Sequence, residues 1–108
     1  MARYLILALN GPTDGDGHEA ALNRWYEDEH LPAFKDIDGI KTARRYKVMQ
    51  GKIPGLDEVW PYVAVYEIET DNLAAVSAQF AEKMQVFHPA LDRSKSAFIR
   101  AIQIAGDA

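Results

Sequence analysis

The sequence contains no cysteine, which excludes disulfides, thiolate zinc sites and a cysteine nucleophile, and leaves no sign of an oxidising compartment. An excess of positive charge is also missing. Twelve Lys and Arg stand against sixteen Asp and Glu, a formal charge of −4, so the phosphate-neutralising surface that dominates nucleic-acid affinity is absent and no nucleic-acid partner is expected. There is no long apolar run. The opening MARYLILALN is too short to span a bilayer, has no small-residue cleavage site and passes straight into a Gly/Asp turn. It reads as a first strand rather than a signal, no membrane contact is expected, and the cytoplasm is the expected location. Gly11, Gly15 and Gly17 lack both the Lys-Ser/Thr of a phosphate loop and the dinucleotide spacing.

What is present is 108 residues, 48% hydrophobic and 26% charged, the profile of one globular domain over residues 1–108. A chain of this size buries only about 60–65% of the surface its unfolded form exposes, so a partner surface would add to its stability.

Residues 3–9 are apolar on both parities, which is the pattern of a strand covered on both faces. The Gly, Pro, Asn and Asp of NGPTDGDG (10–17) make a loop. Asp16 followed by Glu19 predicts a capping box and a helix start near Gly17 or His18. Leu22, Trp25, Tyr26 and His30 then form one inward stripe, and Pro32 predicts that the regular helix ends or kinks at about His30. A second strand follows over 40–49, with Ile40, Thr42, Arg44, Tyr46 and Val48 on one side and Lys41, Ala43, Arg45, Lys47 and Met49 on the other. After a Gly- and Pro-bearing connection (50–61) comes a third strand, 62–69, with Tyr62, Ala64, Tyr66 and Ile68 on one parity. Thr70 or Asp71 can cap a second helix over roughly 72–87, ended by Pro89, and residues 96–105 alternate as a fourth strand.

Two right-handed β-α-β crossovers in so short a chain make an α+β fold: a ferredoxin-like βαββαβ unit, with a four-stranded antiparallel sheet and both helices on one face. The first, third and fourth strands are apolar on both parities, so the other sheet face needs a cover. The simplest cover is a second copy of the same sheet, and a homodimer through the sheet face is expected.

The segment Trp25-Tyr26-Glu27-Asp28-Glu29-His30-Leu31-Pro32, with Gly39, Arg44-Arg45-Tyr46, the Tyr62–Tyr66 strand and the late His88-Pro89, resembles the EthD-like proteins of the dimeric α/β-barrel superfamily. The resemblance covers most of the chain, and its helix motif is the specific part. It implies a ferredoxin-like protomer whose sheet forms a barrel across a dimer, with a small-molecule pocket between sheet and helices. Relatives include isomerases, decarboxylating, dehydrating or cyclising enzymes on phenolic, lactone or polyketide rings, cofactor-free monooxygenases and haem-binding members longer than this chain, so fold is narrowed far more than reaction.

His30 is the candidate catalytic residue. It sits on the inward stripe near a helix C-terminus, where the dipole favours a cation while burial disfavours one, a balance that can poise an imidazole for proton transfer. A core-edge histidine with one hydrogen bond is the plain alternative. Tyr26, four residues before it, is core at helical spacing and a candidate ring contact. Arg44 and Tyr46 share a face, as do Tyr62 and Tyr66; if theirs is the pocket face, Arg44 fixes a carboxylate or enolate oxygen while Tyr46 and Tyr66 orient a ring. Arg45 takes that part if the opposite face lines the pocket, and cross-strand packing alone also accounts for the aromatics. Trp60 is a candidate lid or a packing residue. His18 is expected at the solvent and His88 in a turn; the three histidines match no zinc spacing, so no metal site is expected, and no cofactor is expected either, with haem on a lone His left open by the sequence.

The expected function is a cofactor-independent enzyme of isomerase, lyase or cyclase type. It would act on a hydrophobic aromatic, phenolic or lactone ring by proton transfer through His30. The alternatives are a cofactor-free monooxygenase of the same fold and a non-catalytic dimer that binds a ligand or scaffolds other proteins.

Overall fold

The computed structural model describes residues 1–85 and 87–107. Four strands, β1 (Ala2–Asn10), β2 (Ile40–Lys47), β3 (Tyr62–Thr70) and β4 (Ala97–Ile102), form one antiparallel sheet in the order β2-β3-β1-β4. Among the described residues three α-helices come between them, α1 (His18–Trp25), α2 (Leu31–Lys35) and α3 (Leu73–Lys83), with a short 3₁₀ turn at Arg93–Lys95 before β4. This is the βαββαβ ferredoxin-like arrangement that the order of elements predicts, with strand positions displaced by at most a few residues. Among the described residues no helix is long and apolar enough to cross a membrane.

The core lies between the helices and one sheet face. Ile6 of β1, Ala64, Tyr66 and Ile68 of β3 and Ile40 of β2 meet Leu22, Trp25, Tyr26, Phe34, Val76 and Phe80 from the helical layer, all buried. The aromatic members interlock: Phe34 lies tilted 4.4 Å from Phe80 and 5.1 Å from Tyr66 between ring centroids, and Tyr66 meets Phe80 edge to face at 5.1 Å, a geometry that adds to simple burial.

Three local expectations change. Helix α1 starts at His18, but the capping box is not made: Gly17 occupies the N-cap in a left-handed conformation (φ 84°) without a side-chain bond, which only glycine adopts cheaply. His18 Nδ1 turns back to the carbonyls of Thr13 and Asp14, and the ring is half-buried rather than solvent-facing. The regular helix gives way where Pro32 predicts, by widening rather than by stopping. Residues Tyr26–His30 widen into a π turn, with the Leu31 N–H donating to the Tyr26 carbonyl, and α2 continues the run to Lys35. The wider turn accommodates a ring that lacks an N–H and would strike the carbonyl one α-turn back. Helix α3 is capped by Asn72, whose side chain accepts from the Ala75 N–H at 3.2 Å, and ends at Lys83, short of the expected Phe87; Val86 lies outside the described residues.

The second strand holds the change with most consequence. Ile40 pairs with Ile68 but Thr42 pairs with Glu67, so one extra residue is inserted at Lys41. A bulge of this kind shifts every later side chain to the opposite face. Ile40 is therefore core while Thr42, Arg44 and Tyr46 turn away from the helices, and Ala43 and Arg45 turn towards them, opposite Tyr66 and Ala64.

Candidate functional site

A half-open recess of about 130 Å³ lies between the π turn and the β1, β3 and β4 strands. Its polar lining consists of Asn10, Tyr26, His30, Tyr66 and Ser96; Leu9, Met84, Phe87, Leu91 and Phe98 are among the apolar wall. Four other hollows, of about 200 to 540 Å³, are larger and more open, with charged residues of both signs along each. A mostly apolar recess with a few converging polar groups is the form small-molecule sites take.

His30 is fixed by aromatic contact. The Trp25 ring stacks on its imidazole at 4.1 Å, and Tyr26 and Phe34 meet it edge-on at 5.0 and 4.6 Å. The Trp25 stack depends on the π turn, because residues five apart come into line only where a turn closes with i→i+5 bonds. Burial in this apolar setting lowers the His30 pKa to about 4, since desolvation penalises the charged form. The imidazole is thus neutral at pH 7 and holds one N–H donor and one free lone pair.

Tyr26 joins two environments. Its hydroxyl oxygen accepts from Asn10 Nδ2 at 2.7 Å on the cavity side, leaving its own hydrogen to donate. The Arg45 guanidinium sits between its ring and that of Tyr62, 4.4 and 4.0 Å from the two centroids. Arg45 also donates through Nη1 to Asn23 Oδ1. Such stacking clamps the Tyr26 ring from outside the cavity. Burial raises the Tyr26 phenol, opposed by the Asn10 hydrogen bond and Arg45, and pushes the Tyr66 phenol strongly up. Both remain protonated at neutral pH and serve as hydrogen-bond donors, not as bases.

The structure therefore brings His30, Tyr26 and Tyr66 together and separates the other candidates from them. Arg44 points to the open sheet face, where it pairs with Glu67 at 3.3 Å in a solvent-exposed bridge. Tyr46 is 48% exposed on the same face of the edge strand and borders only the outer groove beside Arg45. Both assignments fail as cavity contacts because of the Lys41 bulge, and Arg45 takes the helix side in their place. Trp60 is not a lid: Tyr62 pairs with Asn10, so the preceding loop reaches Gly11 and Pro12, where Trp60 borders a separate groove that shares no residue with the cavity. His88 Nδ1 accepts from the Ala90 N–H at 3.0 Å in a turn. Asn10 escaped the sequence reading as the first letter of a loop. Its parity with Tyr4, Ile6 and Ala8 was the available signal. Among the described residues no three His, Asp or Glu side chains gather as a metal site.

No family model and no curated protein matches the chain. Solved structures do. An ethyl tert-butyl ether D (EthD) family protein from Bacillus halodurans superposes with a TM-score of 0.59 at 14% identity, covering 96% of this chain and 100% of that one. A DABB family protein with a ferredoxin-like fold from Mesorhizobium loti gives 0.66 at 13% identity over 97% and 100%. A dimeric ferredoxin-like protein of unknown function from Thermobifida fusca gives 0.59 at 13% over 94% and 92%. With the strand order and the helical layer, these likenesses establish that the chain has the α+β ferredoxin-like fold of EthD-family and DABB-family structures.

Proposed function

We propose that the chain is an EthD-like, homodimeric, cofactor-independent enzyme that moves a proton on a small hydrophobic ring compound held in the 130 Å³ cavity. The observation that carries this reading is His30: a neutral imidazole, its pKa lowered to about 4, held by three aromatic rings at the wall of a mostly apolar recess. Such a base starts without its proton. Accepting one is costly while the cavity is uncharged, and becomes favourable when the same step leaves an enolate or phenolate beside it, because an adjacent anion stabilises imidazolium. The Tyr26 and Tyr66 hydroxyls can donate to that developing charge. This division of labour suits an isomerase, lyase or cyclase step.

Two further observations support the dimer. Leu5, Leu7, Leu9, Val63, Val65 and Ile99 form an apolar sheet face that the helices leave open, with Ile99 50% exposed. The Thermobifida fusca neighbour is described as dimeric.

The test is an NMR titration of His30 with and without small phenols and ring lactones, followed by turnover assays on those that bind. A ligand-dependent shift of the titration, and a loss of roughly 10²–10⁴-fold in kcat for His30→Gln, are expected. Unchanged turnover in H30Q would sink the proton-transfer role, and a ligand-insensitive His30 would favour a scaffold.

A further inference from the structure

His30 has no acidic partner. Among the described residues the histidine hydrogen bonds belong to His18 and His88, neither ring nitrogen of His30 makes one, and desolvation alone accounts for its lowered pKa. Glu27, Asp28 and Glu29 of its own turn are exposed. No Lys, Arg, Asp or Glu lines the recess, where Tyr26 and Tyr66 are the other titratable groups, and Arg45 stacks on Tyr26 from the outer groove. A histidine that carries protons ordinarily leans on a carboxylate or a carbonyl, which orients the ring and stabilises the imidazolium. In that place the structure puts an aromatic face. The Trp25 indole is stacked on the imidazole, 4.1 Å between centroids at an interplanar angle of 25°, whereas Tyr26 and Phe34 stand across it at 87° and 81°. The indole is itself held: it is 7% exposed, meets the Tyr26 ring at 5.2 Å and 73°, and has the His88 ring tilted against it at 5.9 Å. An indole face is electron-rich and is the best of the aromatic faces for a cation, a preference of roughly two- to thirtyfold in an equilibrium as water is excluded.

We infer that Trp25 is the positioning residue of the proton-transfer site, its indole face holding the His30 ring in place and stabilising the imidazolium that forms when His30 takes a proton. This rests on His30 being the proton carrier, as proposed above. The stack favours the charged ring over the neutral one, so it acts in the step itself. Burial still dominates in the resting protein, and Trp25 offsets part of that cost without bringing a carboxylate into an apolar recess. The π turn is the local device behind it, because on a regular α-helix residues five apart stand about 140° round from one another.

The sequence holds two tryptophans, so Trp60→Phe leaves Trp25 as the sole indole, and tryptophan bearing one, two or three ring fluorines is incorporated there. Fluorine draws charge from the aromatic face and changes its shape little. The readout is the fraction of His30 protonated at about pH 5, just above its midpoint of about 4, taken from the averaged ring nitrogen shifts in NMR, assigned with His30→Gln and with no ligand added. That fraction is expected to fall with each fluorine, by about three- to tenfold over the series. Overlaying amide spectra establish that the series shares one fold. Where they do not overlay, Trp25→Phe takes the place of the fluorinated chains and is expected to lower the fraction in the same direction, because a benzene face holds a cation less well than an indole. An unchanged or rising fraction in the folded series, or in W25F where it stands in, overturns the inference, since packing alone does not follow the charge on the face. The reading of His30 as proton carrier fails separately: unchanged turnover in H30Q removes the reaction, and the positioning role with it, while leaving the titration series as it is.

Discussion

At the scale of single residues, His30 couples the cavity to acidity. Its pKa of about 4 in the folded chain lies below the ordinary 6.5. As pH falls through 6.5 the unfolded chain takes up a proton at this position and the folded chain does not, so stability drops until about pH 4, where the folded chain is protonated as well. Above pH 6.5 the residue has no such effect. The carboxylates also titrate in acid, so the measurement is a difference: urea midpoints of wild type and His30→Phe, followed from pH 7.5 to 4. The wild type is expected to lose more of its midpoint between 6.5 and 4 than H30F does, and parallel curves would contradict a desolvated imidazole. Asn10 and Arg45 illustrate how residue type is visible in sequence while its partner is not. An asparagine at the end of a strand reads as the start of a turn, and only the Tyr26 hydroxyl 2.7 Å away reveals it as a cavity group.

Among elements, two local irregularities decide what the site contains. The π turn Tyr26–His30 stacks Trp25 on His30, and the bulge at Lys41 sends Arg45 rather than Arg44 under the helices. Both follow from local conflicts, a proline inside a helix and a strand that must bury Ile40 and yet expose Thr42 beside Glu67. Alternation by two is a dependable guide to faces only while the ladder is unbroken. Between them, Gly39 makes the turn from α2 into β2 with φ 100°, and a Cβ there would stand 2.9 Å from Val76 Cγ2. Gly39→Ala is accordingly expected to cost about 1–3 kcal/mol in urea unfolding, from left-handed strain together with the clash against α3. A smaller loss than that of an exposed control such as Gly55→Ala, which also has positive φ but nothing near its Cβ, would show that the Val76 contact does not matter.

For the whole molecule, the open sheet face is the feature that the monomer leaves unexplained. Its centre is aliphatic on β1 and β3, and its rim carries the exposed Arg44–Glu67 pair. An apolar centre with a charged margin is the composition of a self-complementary interface. Val65→Glu places a carboxylate at that centre, opposite Leu7 and next to Arg44 in the ladder. Sedimentation equilibrium at micromolar concentration is expected to return a dimer for the wild type and a monomer of the same fold for V65E; a wild-type monomer would refute the self-covering sheet. The cavity lies on the other face, between sheet and helices, so V65E is not expected to remove His30 from its aromatic surround.

The order of elements, the inward stripe of Leu22, Trp25, Tyr26 and His30, and the two-faced apolar strands were determined by the sequence itself. They are periodic and local, and periodicity survives without knowledge of neighbours. The tertiary structure alone decided that Arg45 faces the helices, that Trp60 lies away from the cavity, and that Asn10 and Tyr66 meet His30 across it. Each of those outcomes depends on register between strands far apart in the chain. A single inserted residue at Lys41 reverses that register for every side chain after it, and no composition or spacing within β2 records the reversal.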